Sequence, residues 1–424
     1  MILTLKNIGK LETAQVAIDG ITVIAGENDT GKSTVGKALF AVYNSFYDAD
    51  GQVQFEQIAS VRKEVSLLYE KRVRDRLAHG LDIEETVRGI VVHKDSYCKD
   101  LPGIKKRILE PILNDEHFGA NDPGMMEMME TRSDRVARQI QEVLNVPDEE
   151  IRKAIVERKM DSEFNGQVTN LDSNQKGEIT LQIKDKNVVI PVENNNVTNI
   201  KGNINLTTEA VYIDDPLVLD AFTPSYFRYQ PDSFGHRAHL REKLYHDNRN
   251  ANVVEKIILT KKFENIYRKI SSVCGGEMVE KKQAGYGYKS AGSDKLLDVR
   301  NLSTGLKTFV ILKTLLINGG IENNGVVILD EPEIHLHPEW QLLFAELIVM
   351  LHKEFGVHIL LNTHSPYFLR AIQVYSAKYE MADECRYYLS EQTGAQATIT
   401  DVSDDIERIY AKLSKPLQDL ENER

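Results

Sequence analysis

Residues 21–33 read ITVIAGENDTGKS. Four of the first five are apolar and predict a buried strand, and the last two begin an amphipathic helix expected to reach about Tyr47. Between them, Gly26 to Ser33 has the spacing G-x-x-x-x-G-K-S. Its glycines allow the backbone to curl so that N–H groups point inward, where a helix N-terminus adds positive potential. A strand, a loop and a helix in this order predict a phosphate-binding loop in an α/β fold.

The polar positions of this loop have expected roles toward a nucleoside triphosphate. Lys32 is placed to reach the β- and γ-phosphates as a catalytic residue, and the Ser33 hydroxyl is placed to bind Mg²⁺. The other residues expected to contact the nucleotide are Gly26, Asn28, Gly31 and Thr34. The sequence therefore predicts ATP and Mg²⁺ as ligands. A chance glycine turn is the alternative, and the flanking strand and helix disfavour it.

A second apolar strand, GVVILD at residues 325–330, ends in two carboxylates, Asp330 and Glu331. Near a phosphate loop, Asp330 is expected to hold Mg²⁺ through water. Glu331 is expected to be the general base that polarises the attacking water. Two solvated carboxylates at a strand end are the plainer interpretation. The hydrolytic one is favoured because paired carboxylates and Mg²⁺ complete a set for phosphoryl transfer.

Two further segments carry candidate residues. The strand predicted at 357–361 runs into Asn-Thr-His-Ser-Pro, which places His364 at the sheet edge where ligands gather, for contact with a γ-phosphate. A structural role for this histidine is equally open. Residues 302–306, LSTGL, precede an apolar helix, and Ser303 fits its N-cap. Capping alone would explain the serine. The other interpretation is that Ser303 and Gly305 form a second anion site, for a γ-phosphate held by another subunit.

The rest of the chain divides by composition. Residues 48–164 are rich in charge and helical in pattern, with interruptions expected at Pro102-Gly103 and Pro123-Gly124. They predict a helical insertion. Residues 1–47 and 165–424 then form one split head domain.

The composition of the 424 residues argues against several classes of protein. The formal net charge of −12 disfavours a protein that coats nucleic acid without specificity, although a local basic groove is compatible with it. Cys98, Cys274 and Cys385 lie far apart, without the spacing of a zinc site, which favours a reducing cytoplasm. The N-terminus has no secretion-signal pattern, and no apolar run approaches the ~20 residues of a membrane helix. We therefore expect no membrane contact.

Three local clusters leave their roles open. Residues 61–76 are locally basic, which would suit DNA or RNA, although the opposing carboxylates favour a solvated helix face. Four methionines within 125–129 would suit a partner surface or core packing. His335 and His337 offer only two nitrogen ligands, so a loop at a subunit interface is favoured over a metal site.

These motifs, in this order, resemble those of the ABC ATPase superfamily. Residues 302–306 look like its signature motif, Asp330-Glu331 like its Walker B motif with the catalytic glutamate, and His364 like its switch histidine. The resemblance implies that the signature of one subunit closes on ATP held by another. Two copies would then form a homodimer with two composite sites, in which Ser303 and Gly305 face the partner's nucleotide.

A narrower resemblance is carried by DEPEIHLHP at 330–338 and THSP at 363–366. These stretches are similar to the branch that contains the OLD-family, RecF-like and bacterial defence ATPases. The likeness covers residues 1–47 and about 296–372. It implies an ABC-type P-loop ATPase head of α/β class with an antiparallel β subdomain, for which residues 177–192 show the alternating pattern.

The chain also departs from this family. Asp29 and Thr30 occupy loop positions that are commonly small or glycine, and Gln230 is the one candidate for the family's Q-loop. OLD-family nucleases carry a Toprim domain after the ATPase, and the 58 residues after Pro366 are too few for one. We therefore expect a cytoplasmic sensor or regulator of an anti-phage system that controls a separate effector nuclease or toxin. A RecF-like repair ATPase and an ATP-held scaffold are the alternatives, and nucleic-acid binding stays open.

Overall fold

A computed structural model of the protein describes residues 1–69, 83–113, 123–221, 234–245, 253–280 and 286–423. Contacts among these residues divide the chain into two compact units. The first unit joins residues 1–47 to residues 156–424, and the second consists of residues 48–155. The assignment of residues 48–164 as an inserted domain stays a prediction.

Within the described residues, twelve strands form one continuous sheet and three form a second. The strands are β1 (Ile2–Ile8), β2 (Leu11–Ala17), β3 (Ile21–Gly26), β4 (Gly177–Ile183), β5 (Lys186–Glu193), β6 (Asn196–Val197), β7 (Lys201–Gly202), β8 (Ala210–Ile213), β9 (Glu277–Glu280), β10 (Tyr286–Lys289), β11 (Leu296–Asp298), β12 (Val326–Asp330), β13 (His358–Thr363), β14 (Cys385–Thr393) and β15 (Gln396–Asp401). The large sheet has the order β6-β5-β4-β1-β2-β15-β14-β3-β13-β12-β8, and β7 pairs with β5. Strands β9 to β11 form the second, antiparallel sheet.

The large sheet changes from antiparallel to parallel across its width. Strands β5, β4, β1 and β2 are antiparallel neighbours, whereas β14, β3, β13, β12 and β8 run parallel. Strand β15 joins the two regions, because it pairs antiparallel with β14 and parallel with β2. The predicted α/β class is confirmed, and the antiparallel strands are continuous with the parallel ones.

Strand β3 lies within the parallel region, and all of its residues are buried, as residues 21–25 predict. Ile21, Val23 and Ala25 pack against one face of the sheet, and Ile24 packs against the other. Each fully buried aliphatic side chain of this size stabilises the fold by about 1.5–3 kcal/mol. The loop that follows Gly26 therefore starts from a firmly held strand.

Helices cover the large sheet and make up most of the second unit. They are α1 (Lys32–Ser45), α2 (Ala49–Leu68), α3 (Ile83–Val92), α4 (Lys94–Tyr97), α5 (Leu101–Leu113), α6 (Pro123–Leu144), α7 (Asp148–Phe164), α8 (His236–Tyr245), α9 (Val253–Val273), α10 (Thr304–Ile317), α11 (Pro338–Phe355), α12 (Pro366–Lys378) and α13 (Glu407–Asn422). Ser303 caps α10, and its Oγ accepts a hydrogen bond from the Leu306 N–H at 3.4 Å. The predicted N-cap is confirmed.

The expected interruptions at Pro102-Gly103 and Pro123-Gly124 fall where helices begin, since α4 ends at Tyr97, α5 begins at Leu101 and α6 begins at Pro123. Each pair lies in the first turn of a helix, α5 or α6. First-turn N–H groups have no acceptor within the helix, so proline loses no hydrogen bond there and its fixed φ suits the turn. The same residues that would stop a helix in its interior therefore begin one here.

The second unit has a hydrophobic core to which α2, α3, α5 and α6 contribute. Met129 is fully buried in this core, whereas Met128 is 36% exposed, so the methionine cluster is divided between core and surface. In the basic segment 61–76, Arg62 pairs with Glu84 at 2.6 Å, which reduces the local positive charge. The part of that segment from residue 70 onward lies outside the described residues.

Candidate active site

The loop between β3 and α1 is packed closely around its two glycines. A Cβ atom on Gly26 would lie 2.3 Å from the carbonyl oxygen of Ser390, and one on Gly31 would lie 2.7 Å from Leu11 Cδ2. Gly31 also has a φ of 83°, in the left-handed region that favours glycine. Ser390 Oγ donates a hydrogen bond to the Thr30 carbonyl at 2.6 Å. Both glycines are therefore required by their surroundings, and β14 supports the loop.

The two loop positions that depart from the family pattern are used internally. Asp29 has a φ of 60°, which aspartate tolerates better than most side chains, and it forms an ion pair with Lys10. Thr30 Oγ1 donates to the Glu27 carbonyl at 2.8 Å. Asn28, directly before Asp29, is exposed and accessible to a ligand. The departures thus stabilise the loop.

Lys32 begins α1 and lies folded back over the loop. Its Nζ donates to the carbonyls of Gly26 at 3.2 Å and Glu27 at 2.7 Å, and it lies 4.0 Å from Glu331 Oε1. Burial lowers the pKa of the Lys32 ammonium, and the carboxylates of Glu331 and Asp330 oppose that shift. A positive group held at a loop of inward-curling backbone suits a phosphate group.

Asp330, the last residue of β12, is held by one donor on each carboxylate oxygen. Oδ2 accepts from the Tyr212 hydroxyl at 2.9 Å, and Oδ1 accepts from Asn362 Nδ2 at 3.0 Å. Tyr212 belongs to β8 and Asn362 to β13, the two strands that flank β12. Asn362 Nδ2 also donates to the Lys32 carbonyl at 3.1 Å. One amide group therefore links the Asp330 carboxylate to the start of α1.

Glu331 and His364 meet at the carboxyl ends of β12 and β13. Glu331 Oε1 lies 3.3 Å from His364 Nδ1, and the Glu331 N–H donates to the Asn362 carbonyl at 2.9 Å. Glu331 has a φ of 48°, so the chain turns sharply directly after Asp330. The His364 side chain is 38% exposed, which leaves it accessible to a ligand. The pair can act on a group that enters from solvent.

A further carboxylate, Glu333, lies beneath this pair. It is 3% exposed, and its Oε1 accepts hydrogen bonds from Thr363 Oγ1 and from the His364 N–H. Burial raises the pKa of Glu333, and the Thr363 hydrogen bond partly opposes the shift. Glu333 therefore positions the backbone that carries His364.

The oxygen donors beside the loop suit Mg²⁺, a cation that prefers oxygen ligands. Ser33 lies in the first turn of α1 and is partly exposed, as is Asp330. Asn362 Oδ1 is buried and makes no hydrogen bond within the described residues. Lys32 and the curled loop suit the phosphates in the same way. The residues present therefore fit both ATP and Mg²⁺.

Ser303 and Gly305 lie in a different hollow. Its volume is about 280 Å³, and its lining residues are Ser303, Thr304, Gly305, His335, His337 and Trp340. A Cβ atom on Gly305 would lie 2.7 Å from the His335 carbonyl oxygen, so glycine is required there too. His337 caps α11 and accepts from the Glu339 N–H at 3.4 Å. The structure thus places both histidines beside Ser303 and Gly305.

The structure brings the predicted catalytic residues together and leaves the signature residues elsewhere. Lys32, Asp330, Glu331 and His364 share one site, to which Ser33, Thr34 and the loop glycines belong by position. Gln230 lies outside the described residues. Sequence reasoning missed Tyr212, Asn362, Glu333 and Ser390. Asn362 offered a signal, as an amide within an apolar strand, and Glu333 as a third carboxylate near two others.

Two kinds of feature are absent from the part of the chain that the structure describes. No helix among them is long and apolar enough to cross a lipid bilayer. The same part of the chain contains no group of three or more His, Cys, Asp or Glu side chains placed to hold a metal ion.

Comparison with known proteins agrees with the class that the fold and site define. The chain belongs to the AAA ATPase domain family, whose model matches residues 1–369. It is therefore an ATP-binding ATPase of that family with a phosphate-binding loop. The narrower OLD-family and RecF-like branch stays a prediction.

The proteins that are similar to this chain include a curated relative and solved structures of SMC heads. The "Retron Vc95 probable ATPase" of Vibrio cholerae serotype O1 biovar El Tor is 32% identical over 87 residues, which cover 18% of this chain and 16% of that protein. An SMC head bound to the C-winged helix domain of ScpA is 11% identical, with 94% of this chain and 97% of that one covered and a TM-score of 0.44. The SMC head domain from Thermotoga maritima is also 11% identical, with 95% and 98% covered and a TM-score of 0.39.

Proposed function

We propose that this chain hydrolyses ATP in the presence of Mg²⁺ at the carboxyl ends of β3, β12 and β13. The observation that carries the proposal is the convergence of Lys32, Asp330, Glu331 and His364 beside the phosphate loop. Ser33 and Asp330 would hold the metal, which when bound offsets negative charge on the phosphate oxygens. Open α/β sheets bind their ligands at this edge.

Each side chain has a role that follows from its surroundings. Lys32 binds the β- and γ-phosphates through its ammonium group. Glu331 accepts a proton from the attacking water, and His364, 3.3 Å away, orients that carboxylate and contacts the γ-phosphate. The exchange of the Lys32 ammonium from two backbone carbonyls to phosphate oxygens accompanies nucleotide binding.

The second part of the proposal is a homodimer that encloses ATP. The hollow around Ser303 and Gly305 lies at the N-terminus of α10, where backbone N–H groups and the helix dipole favour an anion. It contains no residue of the chain's own phosphate loop. A nucleotide held by a second copy would supply the γ-phosphate. His335, His337 and the 53% exposed Ile334 would then lie at the subunit interface.

The third part concerns biological role. We infer that the chain is a cytoplasmic sensor or regulator in an anti-phage defence system and controls a separate effector nuclease or toxin. The similarity to a retron ATPase over 87 residues supports this role, together with the motif resemblance to defence ATPases. Because the matched segment is a small part of both proteins, the role of the relative does not carry over by itself and is tested by experiment.

The dimer is tested by light scattering. Glu331→Gln protein with ATP and Mg²⁺ is expected to double in mass, because bound ATP is not consumed. Ser303→Arg in that background is expected to stay at the protomer mass, while Ser293→Arg, on the turn between β10 and β11, serves as the matched control. A doubled mass that persists with Ser303→Arg would contradict the homodimer that encloses ATP.

The defence role is tested in cells that carry the chain with its neighbouring genes. Phage plating is expected to fall with the wild-type chain and to recover with Lys32→Met, and an effector is expected to co-purify. Full phage restriction by the chain alone would contradict the separate effector. ATP hydrolysis stimulated by DNA, without any effect on phage, would instead support the RecF-like repair role.

A further inference from the structure

The carboxylate of Asp330 is fixed from both sides of its strand. Tyr212 is 1% exposed, and its hydroxyl reaches Oδ2 from β8, while Asn362 reaches Oδ1 from β13. The terminal torsion of an aspartate is soft, with a broad range of angles. Two donors on opposite oxygens restrict that rotation, so the carboxylate plane is set by residues that lie outside the known motifs.

The Tyr212 hydroxyl passes through a narrow gap beside α1. A Cβ atom on Gly36 would lie 3.1 Å from Tyr212 Oη and 3.1 Å from Ile328 Cγ2. Gly36 is on the helix that begins with the phosphate loop. The hydroxyl therefore lies between that helix and β12, with little freedom to move sideways.

The Tyr212 ring is held by a stacked imidazole. The His236 ring lies 4.3 Å from the tyrosine ring, centroid to centroid, with 26° between the planes. His236 Nδ1 lies 2.7 Å from Glu163 Oε2, and Nε2 lies 3.0 Å from Asp214 Oδ2. With a carboxylate at each nitrogen, the imidazole plane cannot rotate. The cluster of His236, Glu163 and Asp214 therefore fixes the orientation of the Tyr212 ring.

We propose that Tyr212 is a positioning residue for the metal-binding carboxylate of Asp330, with His236 fixing its ring. This inference rests on the proposed Mg²⁺-dependent ATP site. Groups that hydrogen-bond a metal ligand set its orientation, and their loss typically lowers metal affinity by about 10–100-fold. With one donor on each oxygen, Oδ1 and Oδ2 each keep a second acceptor site for the metal or its water.

The test compares ATP affinity with Mg²⁺ and with EDTA, by fluorescence of a labelled ATP. Tyr212→Phe removes only the hydroxyl. It is expected to reduce the ratio of the two affinities by about 10-fold or more, with the EDTA value unchanged. The matched control is Tyr43→Phe, whose hydroxyl lies 2.9 Å from Thr208 Oγ1 and does not touch Asp330. Titration of Mn²⁺ by electron paramagnetic resonance gives an independent measure of metal affinity.

Gly36→Ala is the second variant, for the case in which Tyr212→Phe does not fold. Alanine suits a helix better than glycine, but its methyl group displaces the tyrosine hydroxyl. A smaller loss in the same ratio is expected. A folded Tyr212→Phe or Gly36→Ala with the wild-type ratio would refute the positioning role alone. If the wild-type protein itself binds ATP equally well with Mg²⁺ and with EDTA, the proposed metal site is refuted, and the positioning role with it.

Discussion

Glu331 Oε1 lies 3.3 Å from His364 Nδ1, although the two residues follow different strands. Strands β12 and β13 are parallel neighbours in which Asp330 pairs with Asn362. Their carboxyl ends therefore meet, and the next residues of each strand leave the sheet close together. The base and the histidine owe their contact to this register, since a shift of the pairing by one residue would separate them.

Replacement of Glu331 by glutamine is expected to stop hydrolysis while ATP binding persists. The amide cannot accept the water proton, and general-base catalysis contributes about 100- to 10,000-fold to such reactions. Phosphate release and labelled-ATP binding measure the two effects separately. The control is Glu391→Gln, a partly exposed carboxylate paired with Arg408, which should leave both unchanged. Turnover that survives Glu331→Gln would remove this residue from the mechanism.

Lys32→Met is expected to abolish detectable nucleotide binding or to reduce turnover by at least about 100-fold, the usual scale for losing one charged donor at a phosphoryl site. The methionine fills similar space without the ammonium that now lies over the loop carbonyls. Lys37→Met, later on the same helix, controls for the removal of one positive charge. Equal losses in both variants would show that the effect is one of net charge.

Replacing Glu333 by glutamine and by alanine should separate the contribution of its hydrogen bonds from that of its charge. Glutamine retains an oxygen for Thr363 Oγ1 and the His364 N–H, and since burial already raises the pKa of Glu333, loss of charge is tolerated. Alanine leaves both donors without a partner, at about 1–3 kcal/mol each. We expect the melting temperature to fall clearly more for Glu333→Ala. Equal falls would indicate that the charge itself is needed.

The His236 cluster predicts a loss of stability in alkaline solution. Burial lowers the pKa of His236, but its hydrogen bonds to Asp214 and Glu163 outweigh burial and raise the pKa to about 9. Because the folded protein holds the His236 proton more tightly than the unfolded chain does, the protonated imidazole stabilises the fold. This stabilisation is fully present below pH 6.5, which is about the pKa of histidine in the unfolded chain. That stabilisation is lost as the pH rises through about 9, and it amounts to at most roughly 3 kcal/mol.

The matched variant is His236→Gln, followed by melting temperature across that pH range. The difference between wild type and variant should be largest below about pH 6.5, should shrink between about pH 6.5 and 9, and should be small above about pH 9. A difference that is independent of pH would show that the imidazole contributes by packing alone.

Local pattern was sufficient for much of this site. The phosphate loop, the buried strand before it and the Ser303 cap follow from short-range rules of spacing and hydrogen bonding. Pro102 and Pro123 lie in the first turns of helices, where the fixed φ of proline suits the backbone and no helical hydrogen bond is lost. Proline therefore marked helix boundaries at these two positions.

The supports of the site could not be predicted in the same way. Tyr212 acts on Asp330 only because β8 lies beside β12, and Ser390 holds the phosphate loop only because β14 lies beside β3. Strand neighbours far apart in the sequence leave no periodic trace in either segment. Strands β3 and β14 pair in the fold, but neither sequence contains a pattern that indicates the other.

Strand β14 pairs along β3 from Cys385, opposite Ile21, to Ser390, opposite Gly26. A ribosome releases Ile21 long before it releases Cys385, and domains of nascent chains fold as units during synthesis. Until residues 385–390 emerge, one edge of β3 is open and the loop lacks its supporting serine. The nascent chain therefore lacks this support for its phosphate loop until residues 385–390 have left the ribosome.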